Sequence, residues 1–239
     1  MSIKKEQHQK FEEFFNDPTK ENLRAFLEGE DTETRYTEFK ESWPIDSKIA
    51  KEILSFANSN SGVIIIGVKE NADGTFTSIG LEKLKDQADY DNGTRNYIPE
   101  NVSHTLVNFS YKNSGKSFQV IFVEHLPEII PVISKQGEAR NIQEGIAYIR
   151  KNTKAKPASY QEFVQLLDKR IRRVDAVSDL KVKLSQIKEL RRQLSNAKSS
   201  GLLARNSAMF KSLADDQNDL FLNDCIWHLE NEVKALLGL

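Results

Sequence analysis

The chain has 239 residues with a formal net charge of -1, and 38% of its residues are hydrophobic and 29% are charged. This composition suits one sizeable core with a helical appendage, and the near-zero charge argues against a general polyanion binder. The single cysteine, Cys225, excludes a disulfide framework and a cysteine-rich zinc cluster. The charged N-terminus does not resemble a signal peptide and no apolar run approaches membrane-spanning length, so we expect a soluble, cytoplasmic protein with no membrane partner.

The charge is unevenly distributed along the chain. Residues 1–133 hold 15 basic and 22 acidic side chains, whereas residues 134–173 hold 10 and 4. A basic segment in an acidic protein is typical of a molecule with a metal-binding site in one region and a phosphate-binding surface in another. Solvated surface charge is an equally good explanation of this pattern.

The first 30 residues predict two N-terminal helices. The first contains Phe11, Phe14 and Phe15, and the second follows Asp17-Pro18 and ends at Gly29. These helices either pack on the main domain or contact a second subunit, since their aromatic residues exceed what a short surface helix needs.

Residues 32–40 predict a strand that carries charged side chains. Side chains alternate across a strand, so Glu38 and Lys40 share one face while Phe39 takes the other. This places a carboxylate beside an ammonium group. Glu33 lies five residues before Glu38, so an unbroken strand would turn the two carboxylates to opposite faces, and Glu33 must lie in a bend or bulge to converge with Glu38.

A helix and a buried strand follow. Apolar residues at three- and four-residue spacing predict a helix over residues 46–57, which ends in the turn-forming residues 58–62. The continuous apolar run over residues 63–68 predicts a central strand that is buried on both faces. Glu70 lies at the exit of this strand, in a polar turn before another strand at residues 76–79.

The middle of the chain has weaker signals. Residues 81–100 predict a long loop with one helical turn, and Asn101 begins a predicted helix through Leu106. Residues 107–111 and 117–123 predict a hairpin, and residues 131–133 and 145–149 add two short strands. We therefore expect an α/β (α+β) fold with a mixed sheet of about six strands and packed helices.

A basic run and a long helix close the chain. Apolar residues recur from Phe163 to Leu194, close to a heptad pattern, before Ser199-Ser200-Gly201, and a final helix is predicted from about Asp219. The helical extension serves either dimerisation and partner binding or packing on its own core. The predicted phosphate-contacting residues precede it or lie in its first turns: Arg150, Lys151, Lys154, Lys156, Arg170, Arg172 and Arg173.

Several short motifs occur in an order that resembles the AlbA-type domain of the Schlafen family, which is associated with nucleic-acid binding. The resemblance covers roughly residues 31–170, with residues 1–30 as N-terminal helices and residues 171–239 as a helical C-terminal extension. The motifs that carry it are Glu33, Glu38-Phe39-Lys40, Phe56-Ala57-Asn58-Ser59 with Gly62, Ile66-Gly67-Val68, and Ala147-Tyr148-Ile149-Arg150.

The resemblance implies a function. Schlafen relatives include metal-dependent ribonucleases that act on structured RNA such as transfer RNA through three acidic residues, and others are nucleic-acid or nucleotide binders. We therefore expect a metal-dependent endoribonuclease that cleaves structured RNA, most simply transfer RNA. The alternative is a non-catalytic nucleic-acid-binding or nucleotide-binding regulatory module of the same fold.

The resemblance also implies a site and an assembly. By position, the three carboxylates fall on Glu33, Glu38 and Glu70, with Asp73 as an alternative third ligand, and such oxygen ligands suit Mg²⁺ or Mn²⁺. Lys40 adds a fixed positive charge. A salt-bridged strand surface is the alternative interpretation of these residues. Since two related lobes close around RNA in longer relatives, we expect a homodimer that uses the heptad-like helix and the N-terminal aromatic residues.

Other candidate residues carry weaker signals. The four histidines have no metal-ligand spacing, and only His125, at a predicted strand end, is kept as a group that supports the site. Gly62 and Gly67 do not form a phosphate-binding GxxxxGK motif. Trp43 and Tyr36 either stack on bases or pack in the core.

Overall fold

The computed structural model describes residues 3–29, 34–138, 140–199 and 227. The chain divides into two compact units, Met1–Arg170 and Ile171–Leu239. Within the described residues, no helix has the length and apolar character needed to cross a bilayer. Glu33 and the helix predicted from about Asp219 lie outside the described residues.

A four-stranded mixed sheet organises the first unit. Its strand order is β1-β2-β6-β5, with β1 parallel to β2 and both other pairings antiparallel. Every residue of β2 is buried, as its continuous apolar run predicted, because strands flank it on both sides and helices cover both faces. The four strands of this sheet are β1 (Thr37–Lys40), β2 (Gly62–Ile66), β5 (His104–Ser110) and β6 (Ser117–Val123).

Four further strands form two separate ribbons among the described residues. In one ribbon β3 pairs with β4, and in the other β7 pairs with β8, both antiparallel. The predicted α+β fold class is confirmed, although four of the eight strands in the described part of the chain join the main sheet and the other four form these ribbons. The strands are β3 (Val68–Glu70), β4 (Phe76–Ser78), β7 (Tyr148–Lys151) and β8 (Lys154–Pro157).

Helices pack on both faces of the sheet. Ile64 and Ile66 of β2 pack in the core that also contains the apolar face of α3, while Val63 and Ile65 pack in the core beneath α1 and α2. This split follows from the two-residue alternation of a strand. The helices of the described residues are α1 (Ile3–Asn16), α2 (Lys20–Gly29), α3 (Asp46–Ser59), α4 (Gln87–Arg95) and α5 (Tyr160–Ser199).

The N-terminal aromatic residues belong to the core of the first unit. Phe14 is fully buried, and its ring lies 6.0 Å from that of Phe109 and 5.3 Å from that of Phe122, on two strands of the sheet. Phe11 is 5% exposed. The N-terminal helices therefore pack on the main domain through Phe11 and Phe14, whereas Phe15 is half-buried, and contact of these helices with a second subunit stays a prediction.

Two elements in the middle of the chain differ from the prediction. The helix expected over residues 101–106 does not form: residues 104–106 extend the predicted hairpin strand into β5, because their backbone completes the ladder with β6 and this pairing outweighs the local capping signal. The expected loop over residues 81–100 contains α4. The Asp86 side chain caps this helix by accepting a hydrogen bond of 2.8 Å from the Ala88 backbone N–H.

Residues 131–133, which were predicted as a strand, are not part of a sheet, and the backbone of Val132 forms hydrogen bonds with the side chain of Asn58 instead. The Val132 backbone N–H donates to Asn58 Oδ1 at 2.7 Å, and Asn58 Nδ2 donates to the carbonyl oxygens of Val132 at 2.8 Å and Tyr148 at 2.9 Å. Asn58 is fully buried at the end of α3. Its amide thus satisfies backbone groups that a ladder would otherwise satisfy, and it ties α3 to β7.

Candidate functional site

Glu38 and Lys40 lie side by side on β1, as the strand alternation predicted. Lys40 Nζ contacts Glu38 Oε1 directly. The Glu38 side chain is 7% exposed and that of Lys40 is 29% exposed, so the carboxylate faces the interior and the ammonium lies closer to solvent. A carboxylate buried this far requires cationic or hydrogen-bonding partners.

Arg150 supplies the second cation. Its Nη2 lies 2.9 Å from Glu38 Oε2, and its Nη1 lies 3.1 Å from Oε2 of Glu52 on α3. The Arg150 side chain is only 1% exposed, and its guanidinium also lies 4.2 Å from the centre of the Phe56 ring. We refer to Glu38, Lys40, Glu52 and Arg150 as the ion network.

The backbone around Arg150 fixes this arrangement. The Arg150 backbone N–H donates to the Ser59 hydroxyl at 2.9 Å, and its Nη2 donates to the carbonyl oxygens of Thr34 at 3.3 Å and Thr37 at 3.2 Å. The end of α3, the start of β1 and strand β7 therefore meet at Arg150. Because hydrogen bonds are stronger in the protein interior than in water, this buried cation holds the groups that it contacts in fixed orientations.

The ion network holds two carboxylates close together. Burial and then the neighbouring charge of Glu38 together raise the pKa of Glu52 from its ordinary 4.5 to about 7, although Arg150 opposes both effects. Sequence reasoning missed Glu52, although its position between Ile49 and Phe56 on the apolar face of α3 was a readable signal.

The remaining acidic candidates lie elsewhere. Glu70 is an exposed residue of β3, next to Lys69, whose Nζ lies 3.3 Å from Glu41 Oε1 just after β1. Asp73 lies in the turn between β3 and β4, where its Oδ1 accepts hydrogen bonds from the Thr75 backbone N–H at 3.0 Å and the Thr75 hydroxyl at 2.7 Å. These bonds lower the pKa of Asp73.

The predicted three-carboxylate metal site includes Glu33, which the structure does not describe. In the part of the chain that is described, no three His, Cys, Asp or Glu side chains are grouped so that they could hold a metal ion. Glu38 already contacts two cations, Lys40 and Arg150. The fit of a divalent cation therefore depends on Glu33, and the metal site stays a prediction.

The β7–β8 ribbon divides the predicted phosphate contacts into two faces. Lys151 lies directly opposite Lys154, and Lys156 lies two residues further along β8, so all three side chains share one face. Arg150 and its cross-strand partner Ala155 take the other face, which explains why Arg150 is buried in the ion network. We refer to Lys151, Lys154 and Lys156 as the lysine face.

The other predicted basic contacts lie on α5. Arg170, Arg172 and Arg173 are all exposed, and the boundary between the two compact units follows Arg170. The start of α5 is fixed by Ser159 and Glu162, since Glu162 Oε2 accepts from the Ser159 backbone N–H at 2.8 Å.

Three further candidate residues are held by local contacts. The Trp43 Nε1–H donates to Gln119 Oε1 at 2.6 Å and its ring packs 6.0 Å from that of Tyr90, so Trp43 supports the core. The Tyr36 ring stacks on Phe11 at 5.0 Å but remains half-buried. His125 Nδ1 lies 2.6 Å from the Ala57 carbonyl oxygen, outside the ion network.

Comparison with known proteins identifies one match. A family model described as "Schlafen, AlbA_2" matches residues 33–159, which is more than half of the chain. The matched segment contains every residue of the ion network and of the lysine face. No curated protein and no solved structure matches the chain.

Proposed function

Because the chain belongs to the Schlafen, AlbA_2 family, as its motifs predicted, its function is related to nucleic acid, and we propose that it binds structured RNA through the lysine face. The observation that carries this proposal is the cross-strand pair of Lys151 and Lys154, extended by Lys156. Like charges directly opposite each other destabilise a ribbon, and a bound anion would offset the charge that the protein's own carboxylates leave uncompensated.

The lysine face is only partly neutralised by the protein itself. Lys151 Nζ lies 2.9 Å from Glu162 Oε2, and both side chains are partly exposed. Within the described part of the chain, Lys154 and Lys156 have no carboxylate partner, and both are exposed. Two lysines without partners on an exposed two-stranded ribbon suit contact with successive phosphates, since such contacts depend on charge rather than on base identity.

We expect reversal of charge on the lysine face to weaken RNA binding and its salt dependence. In the double variant Lys154→Glu/Lys156→Glu, loss of two phosphate contacts should reduce the slope of log affinity against log salt by about 1.4 to 1.8. Fluorescence anisotropy with a labelled RNA hairpin, titrated at several salt concentrations, measures this slope.

A matched control makes the expectation specific. Lys83→Glu/Lys112→Glu carries the same charge change at two exposed lysines outside the ribbon and should leave most of the salt slope intact. An equal loss of slope in both double variants would show that only net charge matters, and the lysine face would then not be the binding surface.

A second candidate function is a metal-dependent endoribonuclease acting on structured RNA such as transfer RNA. The contact between Glu38 and Lys40 on β1 favours it, because a carboxylate beside a fixed cation can serve a phosphate-cleaving site. Glu33, Glu38 and Glu70 would hold Mg²⁺ or Mn²⁺, with Asp73 as the alternative third ligand. The cation would supply charge stabilisation at the phosphate. The binding-only module remains the alternative.

We also propose that two chains associate as a homodimer through α5. Leu167 is 37% exposed, Ile171 57% and Val174 46%, and these positions follow each other at four- and three-residue spacing. Exposed apolar side chains at this spacing are typical of a helix that packs against a partner helix.

We expect sedimentation at micromolar concentration to show a dimer that an added charge on α5 weakens. Ile171→Glu places a carboxylate among the exposed apolar side chains of α5 and should shift the equilibrium towards monomer. Gln165→Glu introduces the same charge at an exposed polar position of the same helix and should not shift it. A wild-type protein that sediments only as a monomer would exclude this assembly.

A further inference from the structure

A cleft lies between α1 and the turn that joins α3 to β2, with a volume of about 430 Å³. This volume falls within the range of small-molecule sites in proteins. We refer to it as the α1 cleft. The residues that matter for its chemistry are Phe15, Asn16, Tyr36, Asn60, Ser61 and His125.

Aromatic rings form one wall of the α1 cleft. The Tyr36 ring stacks on Phe11, with 5.0 Å between centroids and 22° between planes, and Phe11 lies 5.3 Å from Phe15. Phe15 in turn meets Phe122 of the sheet edge-on at 5.7 Å. These contacts hold Tyr36 and Phe15 in place while leaving both half-buried, so the cleft presents fixed aromatic surface.

Polar groups form the opposite wall. The Ser61 hydroxyl accepts from the His125 backbone N–H at 3.0 Å, which fixes His125 beside the turn. Because a carbonyl oxygen only accepts, the proton on the His125 ring lies on Nδ1, facing Ala57 at 2.6 Å. Burial lowers the pKa of His125, so the ring is neutral and its Nε2 is an acceptor.

Asn60 adds a donor and an acceptor to the polar wall. Among the described residues, its side-chain amide has no hydrogen-bond partner, and the same is true of Asn16 across the cleft. Amides that line a cleft without partners can pair with the edge of a heterocycle, which offers donors and acceptors in one plane.

The charge of the α1 cleft disfavours a phosphate inside it. None of the described residues that line it is a lysine or arginine, and Glu12 is one of the lining residues. A neutral aromatic group therefore fits the cleft better than an anion does.

The α1 cleft is connected to the lysine face through Ser59 and Arg150. Ser59, directly before Asn60, accepts a hydrogen bond from the backbone N–H of Arg150 at 2.9 Å, and Lys151 of the lysine face follows Arg150. We propose that the α1 cleft binds one unpaired nucleobase of an RNA strand whose phosphates contact the lysine face. This inference rests on the proposed RNA binding and adds a base-dependent contribution to it.

The test compares two single-stranded RNAs of equal length by fluorescence anisotropy, one normal and one with abasic ribose at every position. Both carry the same phosphates, so any difference reports base contacts. The wild-type protein should bind the normal RNA about 5- to 100-fold more tightly, the range expected for stacking of one base. Equal affinity for the two RNAs would overturn the proposal.

Variants assign the preference to the α1 cleft. Tyr36→Leu keeps an apolar side chain but removes the aromatic surface, and Asn60→Ala removes the amide, so each should reduce the preference for normal RNA while leaving the salt slope unchanged. Asn113→Ala, at an exposed hairpin turn, should change neither. If Tyr36→Leu lowers the melting temperature, Asn60→Ala becomes the deciding variant. An unchanged preference of Asn60→Ala for normal over abasic RNA would refute the assignment of the base site to the α1 cleft.

The same data separate this inference from RNA binding itself. Lys154→Glu/Lys156→Glu should lower the salt slope for both RNAs while keeping the preference for bases. Equal, salt-dependent binding of both RNAs would refute the base site alone. No binding of either RNA, or of a structured RNA, would refute the RNA-binding proposal and the base site together.

Discussion

Replacement of Arg150 with methionine is expected to lower the free energy of unfolding by about 3–5 kcal/mol. The guanidinium contacts both Glu38 and Glu52 with 1% of its side chain exposed, so its removal leaves two buried carboxylates without their shared cation. The loss corresponds to a fall in melting temperature on the order of 10 °C for a domain of this size. Urea titration and thermal melts followed by circular dichroism measure both quantities.

The pH dependence of this loss has a defined direction. A carboxyl with a higher pKa in the folded chain stabilises that state at low pH, so the wild-type contribution of Glu52 is lost as pH rises from 4.5 to about 7. Without Arg150 the pKa of Glu52 rises further, so in the variant the free energy of unfolding continues to fall as the pH rises above 7. The difference between the two proteins should therefore be larger at pH 8 than at pH 5.

Two further variants test whether the lost contacts of Arg150 with Glu38 and Glu52 cause the loss of stability. Arg24→Met removes a surface pair, because Arg24 and Glu28 are 73% and 64% exposed, and it should change stability little. Glu52→Gln in the Arg150→Met background removes one of the stranded carboxylates and should restore part of the stability. If Arg150→Met is as stable as Arg24→Met, the ion network does not hold α3, β1 and β7 together.

Replacement of Glu70 with glutamine is expected to abolish Mn²⁺-dependent cleavage of structured RNA without loss of stability. Glu70 is exposed on β3, so removal of its charge leaves the core unchanged. A bound cation supplies several kcal/mol to the transition state, so cleavage should fall by about 100-fold or more. Incubation of the protein with transfer RNA, with Mn²⁺ or with a chelator, measures cleavage.

The comparison variants distinguish the candidate ligands. Glu82→Gln changes another exposed glutamate and should cleave normally. Loss of cleavage in Asp73→Asn with activity retained in Glu70→Gln would assign the third ligand to Asp73, even though its carboxylate already holds Thr75. Full activity in Glu38→Gln would refute the site. A wild-type protein that binds RNA but does not cleave it in Mn²⁺ would be a binding module.

The elements predicted well from sequence are those whose pattern is local. The apolar spacing of α3 and the apolar runs of β2 and β6 each specify the element and its burial within a single segment. The α4 helix and the first residues of β5 were missed, because the signals around residues 87–106 are weak, whereas the hairpin of β5 with β6 was predicted.

The sequence by itself determined that Glu38 and Lys40 share a face of β1, since this follows from the geometry of any strand. It also determined the family through motifs whose order is readable along the chain. The tertiary structure alone decided what surrounds Glu38. Arg150 lies 112 residues away along the chain and reaches Glu38 only because α3, held through Asn58 and Ser59, brings β7 beside β1.

The tertiary structure also decided that Arg150 and the neighbouring lysines have different environments. All were expected to contact phosphate, because charge counted along a sequence does not show which face of a ribbon meets the core. Register places Lys151, Lys154 and Lys156 on one face and Arg150 on the other, where burial and two carboxylates fix it. Burial and desolvation depend on residues far apart in the chain, so only the folded structure assigns them.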